Sequence, residues 1–533
     1  MTLGKAASCV LWWTLFSGIV TAQATSTEVV AERKSPYAEI RVVDAQTGRG
    51  LPLVELETVN SLQMVTDNAG RVAWQEPGLM GREIFFTIRS HGYDVPRDGF
   101  GISGVKVTPE LGKPVKIRLE RKMRAERWCR LTGEGLYRDS LLLGYPLPLR
   151  LAAHPGLVAG QDSVQTAIYG GRIYWFWGDT QRMSYPLGLF RTAGATTPLP
   201  DEQGRLEGLE HGISFDYFVD PATGFARAIM PLAERPEGVV WISGVCVVPD
   251  RQGVKHMVAH YTRRQSLAVE LEQGIAVWND EGARFDPVIQ LPLDETWRRP
   301  SGHPIEYESD GAKWLLMGSP NPNVRVRAEL ESVVDPQQYE AWTCRAASDS
   351  GEANKPSRRQ DSTIDWRWQK QLPPVDSQQE AKWLADEKLR SDECRYLPAD
   401  AEQPKDRVTL HNGSVRWNAY RQRWLLVAGQ VFGQASMLGE VWCGESESPT
   451  GPFHQVTRVV THDRQSFYNV CHHGFLDQQG GRVIYFEGTY TQDFSGNPAR
   501  TPRYNYNQIL YRLDLESVFG SNSESRSETR PDQ

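Results

Sequence analysis

Residues 162–180 read DSVQTAIYGGRIYWFWGDT. Gly170-Gly171 at the centre is a strong two-residue hairpin signal, because both positions accept positive φ without penalty. A two-residue turn there pairs Gln165 with Phe176 and, at the open end, sets Asp162 opposite Asp179. Directly opposed side chains lie about 4.5–5.5 Å apart at Cβ, and like charges in that relation are destabilising. A purely structural hairpin would avoid the arrangement. Two close carboxylates also push their proton affinities apart, which suits acid–base chemistry. The plainer alternative is a pair of solvated loop residues capping the strand ends.

Four further segments repeat the layout of short strand, tight turn and aromatic-rich return strand. They begin at Ser243, Ser301, Asn412 and His472, giving start-to-start intervals of 81, 58, 111 and 60 residues. The long interval contains a hydrophilic stretch, 327–405, with few β-branched residues. Without it the spacing is close to one four-stranded blade per repeat, the signature of a β-propeller. The expectation is an all-β protein, a five-bladed β-propeller over 125–517. A pair of β-sandwiches is the competing architecture.

Upstream, period-two runs such as AEIRVVD (38–44) and EIFFTIRS (83–90) are separated by turn signals, and 37–120 reads as a small β-sandwich. Lys5, the apolar run 6–20 and the small-residue pattern at 21–24 make residues 1–24 a secretory signal, too short to span a bilayer. The expected location is therefore secreted or periplasmic, with no membrane span after cleavage and a disordered tail over 518–533. Six cysteines remain, none in a C-x-x-C, and Cys344 with Cys394 is the preferred disulfide across the insertion. Acidic residues outnumber basic ones 66 to 59, which argues against a nucleic-acid partner. Phosphate-loop, G-x-S-x-G and H-E-x-x-H signatures are absent from the sequence.

If the first strand of each blade lines the axis, the hairpin openings converge on one funnel. Around a Gly480-Gly481 turn, Gly474 opposes Glu487 and gathers His472, His473 and Glu487 at the mouth. Around Asp310-Gly311, His303 opposes Gly318, while Glu306 opposes Leu315 at mid-strand. His411 opens the fourth hairpin, Trp177 lies near the funnel end of the first, and Asp216, Arg138 and Asp139 are further polar candidates. Each has a structural alternative: blade core for Trp177, a turn cap for Asp216 and an ion pair for Arg138–Asp139. His454 and His462 read as surface residues.

Two motifs carry a resemblance. The run GQDSVQTAIYGGRIYWFWGDT (160–180) resembles the signature of a secreted β-propeller family that opens on G-x-D, closes on F-G-D-T and includes endo-D-arabinanases. GEVWCGESESPTGPF (439–453) resembles a blade edge of arabinanase- and xylosidase-type five-bladed glycosidases. The likeness spans roughly 129–517. Trp177 replaces the phenylalanine of F-G-D-T, and the 327–405 insertion has no counterpart. The D-x-x-T-G and T-D-x-x-G-R turns of the first domain resemble carboxypeptidase-regulatory-like, or transthyretin-like, sandwiches. The resemblance implies that Asp162 and Asp179 are the family's two acidic positions.

The resulting expectation is an exported glycoside hydrolase acting on a polysaccharide or oligosaccharide. Asp162 and Asp179 are the catalytic pair, with Glu487 in reserve. Arg138, Asp139, Trp177, Asp216, His303, His411, His472 and His473 contact the glycan. No metal site or other cofactor is implied, although a structural cation would be compatible with the funnel. The alternative is a non-catalytic propeller that binds glycan or acts in cell-surface interaction.

Overall fold

A computed structural model describes residues 35–150, 154–346 and 355–521. The signal of residues 1–24 and most of the expected tail lie outside them. The chain continues in order past Ser517, because the short helix Glu516–Phe519 rests Val518 and Phe519 on the core.

The alternating runs at the start of the described chain form two four-stranded sheets. One holds Ala38–Asp44, Arg71–Trp74, Val115–Arg121 and Tyr93–Asp94, and the other Glu55–Thr58, Gln63–Val65, Ile84–Arg89 and Gly104–Val107. Strand Ile84–Arg89 buries every second side chain, as a half-buried strand must. Both sheets contribute to one apolar core that includes Ile40, Leu56, Trp74, Phe86 and Leu119.

Five sheets of four or five strands follow, among the described residues, each led by an inner strand: Gln165–Tyr169, Val239–Pro249, Ile305–Ser309, Leu410–Asn418 and Ser466–His472; a three-stranded sheet of Val158–Gln161, Thr180–Arg182 and Tyr185–Leu189 accompanies them. Neighbouring blades are tied in sequence. Phe176 of blade one and Val240 of blade two belong to one buried apolar cluster. Gly244 N–H donates to the Gly302 carbonyl at 3.2 Å, between blades two and three. Gly413 N–H donates to Ser319 Oγ at 3.1 Å and His472 N–H to Ser414 Oγ at 2.8 Å, joining blades three to four and four to five. Ser163 N–H then donates to Thr489 Oγ1 at 3.0 Å, returning from blade one to blade five. The ring is closed, and the fold is an all-β five-bladed propeller.

Closure is also made in the sheet itself. Glu126–Arg130, the first strand after the sandwich, pairs antiparallel with Asn507–Asp514, so the outermost strand of blade five comes from the beginning of the propeller. The sandwich is attached at the same place. Asn68 accepts the Arg130 N–H and donates to the Arg130 carbonyl, at 2.9 and 2.8 Å.

Several expectations are corrected. The 327–405 stretch is not a pure insertion, because Glu340–Thr343 and Arg367–Gln369 are the outer strands of blade three. Its β character was hidden because its tryptophans pack on one another: Trp342 against Trp366 and Trp368. Cys344 and Cys394 share one buried cluster, yet all six described cysteines are free thiols. His462 is buried rather than superficial, with Nε2 2.8 Å from the Tyr511 hydroxyl.

Candidate active site

The first hairpin has the register its glycines dictate. Gly170 and Gly171 take φ of 55° and 76°, and the ladder runs from Tyr169↔Arg172 to Gln165↔Phe176. Above the ladder, Gly178 N–H donates to the Asp162 carbonyl at 2.9 Å and Asp162 N–H to the Asp179 carbonyl at 3.3 Å. Asp162 and Asp179 therefore face each other. The Asp162 carboxylate also accepts the Asp179 N–H through Oδ1 at 2.9 Å. Gly178 must be glycine for this, because a Cβ there would stand 2.4 Å from Asp162 Oδ1.

Other blades complete the surroundings. Tyr468, from blade five, donates its hydroxyl to Asp162 Oδ2 at 3.2 Å, and Tyr506 adds a second phenol. Trp241, from blade two, donates Nε1–H to Asp179 Oδ1 at 2.8 Å. Burial, together with the nearby Asp179 charge, pushes the Asp162 carboxyl up to about 7. Burial raises Asp179 as well, and the Trp241 hydrogen bond opposes it. The two acids thus differ in environment: one carries the larger burden of desolvation and like charge, the other is steadied by an indole.

Both acids line a cavity of about 880 Å³ at the axis, with His303, Ser319 and Asn412 from blades three and four and Tyr468 and Asn469 from blade five. Leu267 and Phe494, both exposed, stand among its wall residues. Ser163, Asn469 and Tyr506 hold φ of 59°, 52° and 65°. Side-chain-bearing residues rarely adopt that region, and such strain concentrates where function over-determines the backbone. Asn469 Nδ2 donates to Ser163 Oγ at 2.5 Å, locking two of the three together. Among the described residues, no cluster of three or more His, Cys, Asp or Glu side chains is arranged to hold a metal ion.

Of the residues expected from sequence, Asp162, Asp179 and His303 meet in this cavity; the others lie elsewhere. Glu487 pairs with Cys471 rather than Gly474, because two 3₁₀ turns (Gly474–Leu476 and Gln479–Gly481) replace the two-residue glycine turn. It is buried and does not line the cavity, with Oε1 2.6 Å from His473 Nε2. Burial raises its carboxyl to about 8 and holds His473 down at about 3. His472 is engaged by Asp477 at 2.8 Å. His303 does not oppose Gly318; Gly302 does, in an isolated parallel bridge.

His411 is half-buried beside the cavity without lining it. Trp177 is core, edge-to-face with Phe215 and tilted against Tyr217, since its blade position points it between sheets. Asp216 lies on the outermost strand of blade one, paired with Arg172 at 2.7 Å. Arg138 and Asp139 serve the sandwich junction, where Asp139 Oδ1 accepts the Ala73 N–H at 2.9 Å. Tyr468, Asn469, Tyr506 and Trp241 were missed. The polar-aromatic strings FYN (467–469) and YNYN (504–507) were the available signal.

No protein-family model and no curated protein matches the chain. Among solved structures, it is similar to an α-L-arabinanase of Penicillium chrysogenum bound to arabinobiose, with 9% identity over 74% of this chain and 99% of that one, and a TM-score of 0.34. A Bacillus subtilis arabinanase shares 10% identity over 68% and 98% of the two chains, with a TM-score of 0.32. An exo-β-1,3-galactanase of Phanerochaete chrysosporium shares 10% over 67% and 61%, with a TM-score of 0.31. The blade count rests on the sheets described above.

Proposed function

We propose that the axial cavity is the active site of an exported glycoside hydrolase acting on a polysaccharide or oligosaccharide. The observation that carries this reading is the facing pair Asp162–Asp179, with Asp162 raised to about 7 while Asp179 is held by Trp241. Glycoside hydrolysis needs one carboxylic acid and one carboxylate flanking the scissile bond. Asp162 would give its proton to the leaving oxygen as the anomeric C–O bond breaks. Asp179 would either take a proton from the water that attacks the anomeric carbon or attack that carbon itself. His303 would hydrogen-bond a sugar hydroxyl, and the signal of residues 1–24 would deliver the enzyme to a substrate outside the cytoplasm. Release of reducing ends from a polysaccharide panel by the wild type, Asp162→Asn and Asp179→Asn tests the reading. Full activity in both variants removes it.

One observation favours a second reading, a propeller that holds glycan without cutting it. Asp162 already accepts from the Asp179 amide, Tyr468 and Tyr506, as a purely structural acceptor would. Saturable binding of a glycan whose chain length stays unchanged would select this alternative.

A further inference from the structure

Four of the five inner strands that border the upper cavity continue down the axis to a second mouth. Blade one passes from Asp162 to Ile168, blade three from His303 to Glu306, blade four from Asn412 to Trp417 and blade five from Asn469 to Phe475. The lower opening has a volume of about 370 Å³, within the range of small-molecule pockets. Its lining includes Arg416, Trp417, Trp424, Phe475 and, on the rim, the exposed Glu306.

Arg416 is the unusual member. One arm, Nη1, donates to the carbonyls of His303 and Val415 at 3.0 and 3.1 Å. Its remaining nitrogens have no hydrogen-bond partner among the described residues, and no described carboxylate makes a salt bridge with it. Asp477 is close enough to act on it electrostatically, but that carboxylate is taken by His472 at 2.8 Å. Desolvation lowers the guanidinium pKa. The side chain is only partly buried and its unpaired nitrogens are open to the mouth, where such donors suit a planar carboxylate.

Beside it, Trp417 is 46% exposed, and its only ring contact among the described residues is edge-to-face with Trp424 at 5.6 Å. Arg416 and Trp417 are consecutive on one strand and leave it on opposite faces, but both border the same opening, and an open indole and a guanidinium with unpaired nitrogens around one mouth match a ring that carries an acid group. A single cation with Glu306 on the rim suits one negative charge better than a doubly charged phosphate.

We propose that the lower mouth is a second binding site, separate from the Asp162–Asp179 cavity, for a uronic-acid sugar unit whose carboxylate meets Arg416 and whose ring lies on Trp417. The site does not depend on whether the upper cavity cleaves glycan. Calorimetric titration of the full chain with D-galacturonate, D-galactose and acetate tests it. Galacturonate is expected to bind at least about tenfold more tightly than either galactose or acetate, the scale of a charge-assisted pair.

Trp417→Ala, at an exposed position, should weaken galacturonate by about tenfold with an unchanged melting temperature, and Arg416→Lys should do likewise. Glu306→Gln should tighten it, and Asp179→Asn should leave it unchanged. Equal binding of galactose or acetate, no binding of galacturonate, or loss of binding in Asp179→Asn would each overturn the proposal.

Discussion

Asp179 gives its backbone N–H to Oδ1 of Asp162 at 2.9 Å, so one acid of the facing pair caps the chain that carries the other. The Asp162 carboxylate is therefore held by the main chain, while the Asp179 carboxylate is held by the Trp241 indole. The glycine between Trp177 and Asp179 is what admits the capping carboxylate.

Removing either acid should abolish the proposed reaction. Asp162→Asn and Asp179→Asn are each expected to lower kcat by about 10²–10⁴-fold, the usual worth of a positioned acid or base. Steady-state reducing-end assays at pH 6 check this, with circular dichroism to confirm the fold.

The pH profile should follow Asp162. With its carboxyl at about 7 in the free protein, kcat/KM should decline as pH rises through that value, because the acid form is lost. Tyr468 donates to the carboxylate and so favours the charged form. Tyr468→Phe should move the alkaline limb to higher pH. A limb that moves to lower pH would reverse the roles assigned to the two aspartates.

Gly178→Ala places a methyl group 2.4 Å from Asp162 Oδ1. Overpacking of this kind costs about 1–3 kcal/mol. The expected outcome is a modest drop in melting temperature with a disproportionate loss of kcat, because the displaced atom belongs to the acid itself.

Glu487 offers a test in stability alone. Its folded pKa of about 8 stands above the ordinary 4.5, so the folded protein holds the proton more tightly than the unfolded chain. The associated stability is full below about pH 4.5 and is lost progressively as pH rises to about 8. Glu487→Gln should gain on the wild type in melting temperature between pH 5 and about 8.5, measured by calorimetry.

Trp177 stands where the resembling signature has phenylalanine, and its buried Nε1–H has no hydrogen-bond partner among the described residues. Trp177→Phe loses ring area but removes that orphaned donor. It should change stability by less than the about 3–5 kcal/mol of a Trp→Ala truncation, as chemical denaturation would show.

The first hairpin was legible because two adjacent glycines fix both turn type and register, and everything above them follows by counting. The last hairpin was not. Its Gly480-Gly481 looks identical in sequence, but the chain there winds through two 3₁₀ turns, which moves Glu487 opposite Cys471. Tyr468 and Trp241 were invisible for a different reason. Tyr468 reaches Asp162 across 306 residues of chain and Trp241 reaches Asp179 across 62, and no local pattern encodes a meeting made only by ring closure. Blade three hid its outer strands because tryptophans and arginines stack there, as Arg325 does over Trp314 and Trp368. That stacking gives a polar-looking stretch an apolar interior.

The seam between Glu126–Arg130 and Asn507–Asp514 imposes an order of assembly. A nascent chain can complete its amino-terminal sheets early, but the strand that leaves them must wait until Asn507–Asp514 has been made before it finds its neighbour. Until then blades one to four stand as an open arc with two unsatisfied edges, and a ribosome stalled before residue 507 would release a product prone to stick to others like it.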